Sequence, residues 1–110
     1  MHHFLCAARY SRAGFVFLLR ETAFRQELLL LAAACAAVAF TRGAERLFDV
    51  LPWGLFVLVT EALNTAVEKT VDLVTSERHP LAKAAKDCGS FACGTAIAAF
   101  LFVCARVLFL

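Results

Sequence analysis

From Cys88 to Ala105 the chain runs 18 positions without a charged residue. Wound as an α-helix, at 1.5 Å per residue, that run covers about 27 Å of a hydrocarbon core roughly 30 Å thick. Composition points the same way: 62% of the 110 residues are hydrophobic and 18% are charged. Soluble domains hold roughly 45–50% and 25%. A domain this small has too little interior to hide the excess, so lipid must take it. The predicted class is therefore all-α and integral to a membrane. Disorder is excluded by the hydrophobicity. A net charge of +2, from 11 basic and 9 acidic residues, is too balanced for a nucleic-acid binder.

Two more spans are predicted. One starts near Val50 with Leu55–Val59, is interrupted by Glu61 and Asn64, and keeps a helical pattern to about Thr75. Pro52 suits the first turn of that helix. The other, Leu28 to Thr41, reaches a plausible length when extended back through Phe24. The single membrane domain then divides into a surface helix at about 8–26 and spans at about 27–42, 47–66 (continuing to 75) and 87–108. The stretch before Leu28 mixes Phe15, Val16, Leu18 and Leu19 with Arg12, Arg20, Glu21 and Arg25, the pattern of a helix lying on a membrane surface. Its length and its two glutamates argue against a cleaved signal peptide.

Four basic residues before Leu28 and four between Lys69 and Lys86 outnumber the two between Thr41 and Asp49 plus Arg106. That bias predicts a cytoplasmic N-terminus. His79-Pro80 marks a break before the last span. The five cysteines are odd in number and lack a CxxC spacing, so they read as small apolar side chains rather than a disulfide or zinc framework.

Chemistry concentrates between Glu61 and Asp72. At about 100° per residue, Glu61, Asn64, Glu68 and Asp72 fall at roughly 0°, −60°, −20° and +20° on one helix face. The stripe climbs about 16 Å. Acidic residues entering a membrane are costly, which makes function the default reading. Asp72 could simply be solvated, and Asn64 could be an interhelical hydrogen-bonding group. Glu61 is the deepest, with no basic residue within a helical turn, and suits a proton acceptor. Two classes fit: a proton- or cation-coupled transporter, or an interfacial enzyme whose carboxylates hold a hard cation such as Mg²⁺ on substrate phosphates. Glu77, His79, Lys83, Lys86 and Asp87 could hold a phosphorylated ligand. No Walker A run or GxGxxG occurs.

Three segments, ETAFRQE at Glu21 to Glu27, EALNTAVEKTVD at Glu61 to Asp72 and ERHPLAKAAKDCGS at Glu77 to Ser90, resemble the small prokaryotic diacylglycerol kinase family in order and content. The resemblance spans about Tyr10 to Leu110. It implies a bacterial inner-membrane homotrimer with active sites between protomers. It implies transfer of the γ-phosphate of MgATP to the primary hydroxyl of diacylglycerol, giving phosphatidic acid. By the same resemblance Glu61 matches the general base and Glu21 and Glu68 the Mg²⁺-holding carboxylates. Glu77, Arg78, His79, Lys86 and Asp87, with Tyr10, match nucleotide contacts; Ser90, Arg25, Gln26 and Glu27 match the lipid-substrate side, and Asn64 and Asp72 supporting polar positions.

The segment between Tyr10 and Glu21 is one residue shorter than the usual family spacing, which rotates a helix by about 100°. The segment Arg42 to Asp49 is shorter and more charged than in the family. A related branch phosphorylates undecaprenol, and its loop also reads much like His79 to Lys83. The AFRQE form at Ala23 to Glu27 resembles the diacylglycerol branch.

Overall fold

The computed structural model describes residues 2–110. Helix α1 is His2–Leu18, α2 Thr22–Arg42, α3 Leu47–Val74 and α4 Pro80–Phe109; a 3-10 turn, Ala44–Arg46, joins α2 to α3. No strand occurs among the described residues. Helices α2, α3 and α4 are each long and apolar enough to cross a membrane, and α1 buries no residue.

The break between the surface helix and the first span falls earlier than the sequence pattern suggests. The end of α1 tightens as Arg20 N–H donates to Phe17 O at 3.0 Å and Glu21 N–H to Leu18 O at 2.9 Å. Glu21 is then extended, at φ −86 and ψ 129. The Arg25 guanidinium reaches back to Leu19 O at 2.9 Å and Thr22 Oγ1 at 3.4 Å, bracing the turn. Arg25, Gln26 and Glu27 therefore ride on α2. An edge-to-face pair, Phe15 and Phe24 with centroids 6.1 Å apart, sets the end of α1 against α2.

The other ends have similar local causes. Gly43 takes φ 101, a backbone conformation that disfavours any side chain, and lets the chain leave α2. Helix α3 starts at Leu47, so Pro52 lies inside it rather than in its first turn. The missing N–H there frees the Phe48 carbonyl, a cost that a site near the helix start tolerates. His79 caps α4 by accepting from Leu81 N–H through Nδ1 at 3.1 Å, with Pro80 in the first helical position. This start adds about two turns to α4 ahead of Asp87.

Each spanning helix buries one stripe at spacings of three and four, or their sum. The stripes are Phe24, Glu27, Leu31 and Val38 on α2; Val50, Gly54, Val57, Glu61 and Asn64 on α3; and Cys93, Ala96, Phe100, Cys104 and Val107 on α4. Lipid tails are as apolar as leucine, so helix association in a bilayer rests on close packing. Gly54 provides it: a Cβ there would lie 3.1 Å from Leu31 Cδ2 and 3.2 Å from Phe100 Cε1. Phe100 is completely buried in the resulting core with Val38, Val50 and Val57. The Arg42 guanidinium donates to Leu108 O at 2.7 Å, tying the end of α2 to the end of α4.

Candidate active site

Below the apolar core the buried stripes turn polar. Glu27 of α2, Glu61 and Asn64 of α3 and Cys93 of α4 come to one level of the bundle, and all four are buried. The Glu27 carboxyl faces that of Glu61. The Cys93 thiol donates to Glu61 Oε2 at 3.2 Å. Glu61 thus has neighbours on both adjoining helices and, among the described residues, no cation paired with it. Glu27 Oε2 and Asn64 Oδ1 have no hydrogen-bond partner within the described residues. Unpaired buried acceptors of this kind mark a place where a ligand or strain enters the account.

Toward the open end, Asn64 Nδ2 donates to Glu68 Oε1 at 3.0 Å, one helical turn along α3. Glu21, at the α1–α2 turn, pairs with Lys69 Nζ at 3.1 Å. That contact brings Glu21 to the residue next to Glu68. The Lys69 ammonium also lies 5.8 Å from the Phe17 ring centroid, so α1, α2 and α3 meet at this corner. Asp72 is not merely solvated: Lys86 Nζ sits 2.7 Å from its Oδ1 and links α3 to α4.

A groove of about 670 Å³ opens beyond this pair, lined in part by Asp72, Glu77, Arg78, His79, Lys86 and Asp87. All five of the expected nucleotide-loop residues line it. Glu21, Glu68 and Tyr10 are not in its lining, and Tyr10 is 73% exposed on α1. Arg25, Gln26 and Ser90 lie exposed on the outer faces of their helices, whereas Glu27 turns inward.

The groove carries three carboxylates of its own, Asp72, Glu77 and Asp87, and Glu21 and Glu68 add two separated ones outside its lining. Among the described residues no three His, Cys, Asp or Glu side chains cluster as a metal cage. A magnesium ion that keeps its waters and leans on substrate phosphates needs only one or two carboxylates, so this donor set fits it.

Three contributors were hidden in the sequence. By sequence Cys93 reads as a small apolar side chain, Lys69 counts only toward the charge bias, and Gly89 has no role assigned. Helix α4 runs antiparallel to α3, so 61 meets 93, 64 meets 89 and 72 meets 86. Only that register brings Cys93 and Gly89 to the acidic stripe.

A model of the prokaryotic diacylglycerol kinase family matches residues 9–108. A diacylglycerol kinase from Pseudomonas aeruginosa is 48% identical over 93 residues, covering 80% of this chain and 73% of that protein. One from Sinorhizobium is 41% identical over 96 residues, or 84% of this chain and 69% of the relative. An undecaprenol kinase from Bacillus subtilis is 45% identical over 62 residues, 51% of this chain and 49% of its own length. With the helical architecture, the buried acidic stripe and a match that runs almost end to end, the chain belongs to the prokaryotic diacylglycerol kinase family.

Proposed function

We propose that this chain is a membrane-embedded lipid kinase that moves the γ-phosphate of MgATP to the primary hydroxyl of diacylglycerol, giving phosphatidic acid and ADP. The observation that carries this reading is the arrangement along one unbroken helix. Glu61 is buried on a helix long and apolar enough to cross a membrane, with no cation paired to it among the described residues, and Glu68 and Asp72 follow toward a polar groove.

In this reading the lipid hydroxyl reaches Glu61 from the bilayer. As its oxygen bonds to the γ-phosphorus, the bond from that phosphorus to the bridging oxygen of ADP breaks and Glu61 takes the hydroxyl proton. Cys93 fixes the orientation of the Glu61 carboxylate through the bond to Oε2. Glu21 and Glu68 would hold Mg²⁺, which supplies neutralising charge on the phosphates when bound. Lys86 and Asp87, with Glu77, Arg78 and His79, bind the nucleotide in the groove. Tyr10, exposed on α1 and outside the groove lining, would reach the nucleotide from a neighbouring copy. Arg25, Gln26 and Ser90 face the lipid side, and Glu27, turned inward, meets the substrate beside Glu61.

The working unit in this reading is a homotrimer with sites shared between protomers. Large apolar side chains on the spans, including Leu29, Phe40, Phe56, Leu63, Phe91 and Phe102, stay exposed and leave surface for neighbours and lipid. The excess of Lys and Arg before Leu28 and between Lys69 and Lys86 supports an N-terminus on the cytoplasmic side of a bacterial inner membrane, with residues 1–110 forming one membrane domain.

The likeness to an undecaprenol kinase over half the chain favours a polyprenol as the second candidate acceptor. Purified protein in lipid, given labelled ATP and Mg²⁺ with each alcohol side by side, tests both. Phosphatidic acid is the expected product. Labelling of undecaprenol alone would reassign the acceptor, and label on neither lipid would remove the kinase reading.

A further inference from the structure

Helices α3 and α4 approach closely at Gly89, level with the polar stripe. A Cβ at this position would fall on Asn64 Oδ1 and lie 3.1 Å from Asn64 Cγ. At Gly94, five residues along the same helix, a Cβ would meet nothing within 4 Å. The glycine at 89 is thus occupied space: the buried Asn64 carboxamide lies where a side chain would be.

That carboxamide has two ends in a fixed plane. Its Oδ1 rests over Gly89 without a hydrogen-bond donor among the described residues, while its Nδ2 donates to Glu68 Oε1 at 3.0 Å. Where the oxygen rests therefore decides where the N–H points. A methyl group at 89 would force the amide to swing, since the end of a side chain yields before a helix backbone does. The Glu68 carboxylate would lose the donor that fixes its rotamer.

We propose that Gly89 is a positioning residue for Glu68, acting through Asn64. The missing side chain lets the carboxamide lie against α4 and present its N–H to the carboxylate. The inference rests on the reading of Glu68 as a magnesium-holding group. It adds that the orientation of Glu68 is set from α4, a helix that does not carry it.

The test is a titration of the purified, assembled protein with ATP, with and without Mg²⁺, alongside KM and kcat for MgATP. Outer partners of metal ligands typically affect metal affinity by about 10–100-fold. Gly89→Ala is expected to weaken Mg²⁺-dependent ATP binding about tenfold, leaving metal-free ATP binding unchanged. The double variant Gly89→Ala/Asn64→Ala should bind no worse than Asn64→Ala alone, because both changes remove one interaction.

Wild-type binding by Gly89→Ala, or full additivity in the double variant, overturns the proposal. If Gly89→Ala fails to assemble, recovery in the double variant supports the clash with Asn64, and continued failure overturns it. Glu68→Gln, measured in parallel, separates the two readings. If it leaves the Mg²⁺ dependence intact, the metal role of Glu68 falls and this inference falls with it. If it weakens binding while Gly89→Ala does not, only the role of Gly89 is lost.

Discussion

The two halves of the helix bundle use one packing pattern for different ends. In the half holding Val38, Val50, Phe100 and Cys104, the buried stripes are filled with apolar side chains and close on a fully buried phenylalanine. In the other half the same stripes continue as Glu27, Glu61, Asn64 and Cys93, and two buried acceptors lack partners among the described residues. Packing alone asks for the first arrangement. Buried carboxyls and orphaned oxygens cost stability in low-dielectric surroundings. The contrast teaches that the apolar half holds the helices in register so that the polar half can keep groups that would not associate on their own merits.

The contrast can be broken from either side. The largest expected effect is on turnover: Glu61→Gln should lower kcat by about 10²–10⁴-fold, the usual worth of a general base. Thermal stability and assembly size should stay the same, because the amide fills the same space. Full activity in this variant would remove Glu61 from the mechanism. Next comes Phe100→Ala, which empties the apolar half. In water-soluble cores such truncations cost about 3–5 kcal/mol, and a clear drop in unfolding midpoint in detergent is expected here. Activity per folded molecule should change little, since Phe100 packs beside Gly54, about two helical turns from Glu61 along α3.

The smallest effect is expected at the mouth of the groove. Lys83 pairs with Asp87 at 2.6 Å, but both side chains are well exposed. Exposed pairs on a helix contribute little. Lys83→Met should leave the unfolding midpoint within error, and any rise in KM for ATP would then report nucleotide contact rather than folding. A large fall in stability would show that this pair holds α4 in place.

Much of the molecule is legible in the amino-acid order, for physical reasons. A charge-free run as long as a bilayer is thick admits few structures, and the wheel positions of Glu61, Asn64, Glu68 and Asp72 follow from helix geometry alone. The loop at Glu77 to His79 announces itself through His79-Pro80, and the structure uses both residues at the start of α4. Other features depend on partners far away in the chain. Glu27 reads as the first residue of a span, on the lipid-substrate side, and only the packing of α2 against α3 turns it inward. Cys93 and Gly89 gain meaning only once α4 is set against α3. Tyr10 shows the reverse case: its motif suggests a nucleotide contact, and α1 leaves it in the open within one chain.

Helix α3 runs without interruption from Leu47 to Val74, and this has a consequence for how the molecule can work. Glu61 and Glu68 sit two turns apart on one rod, about 10.5 Å along its axis, and no hinge lies between them. Acceptance of alcohols with different tails, or exchange of spent nucleotide for fresh, cannot change that spacing. Adjustment has to come from the flanks: from α1, which buries none of its residues, and from the short strap of Thr75 to His79 that joins α3 to α4.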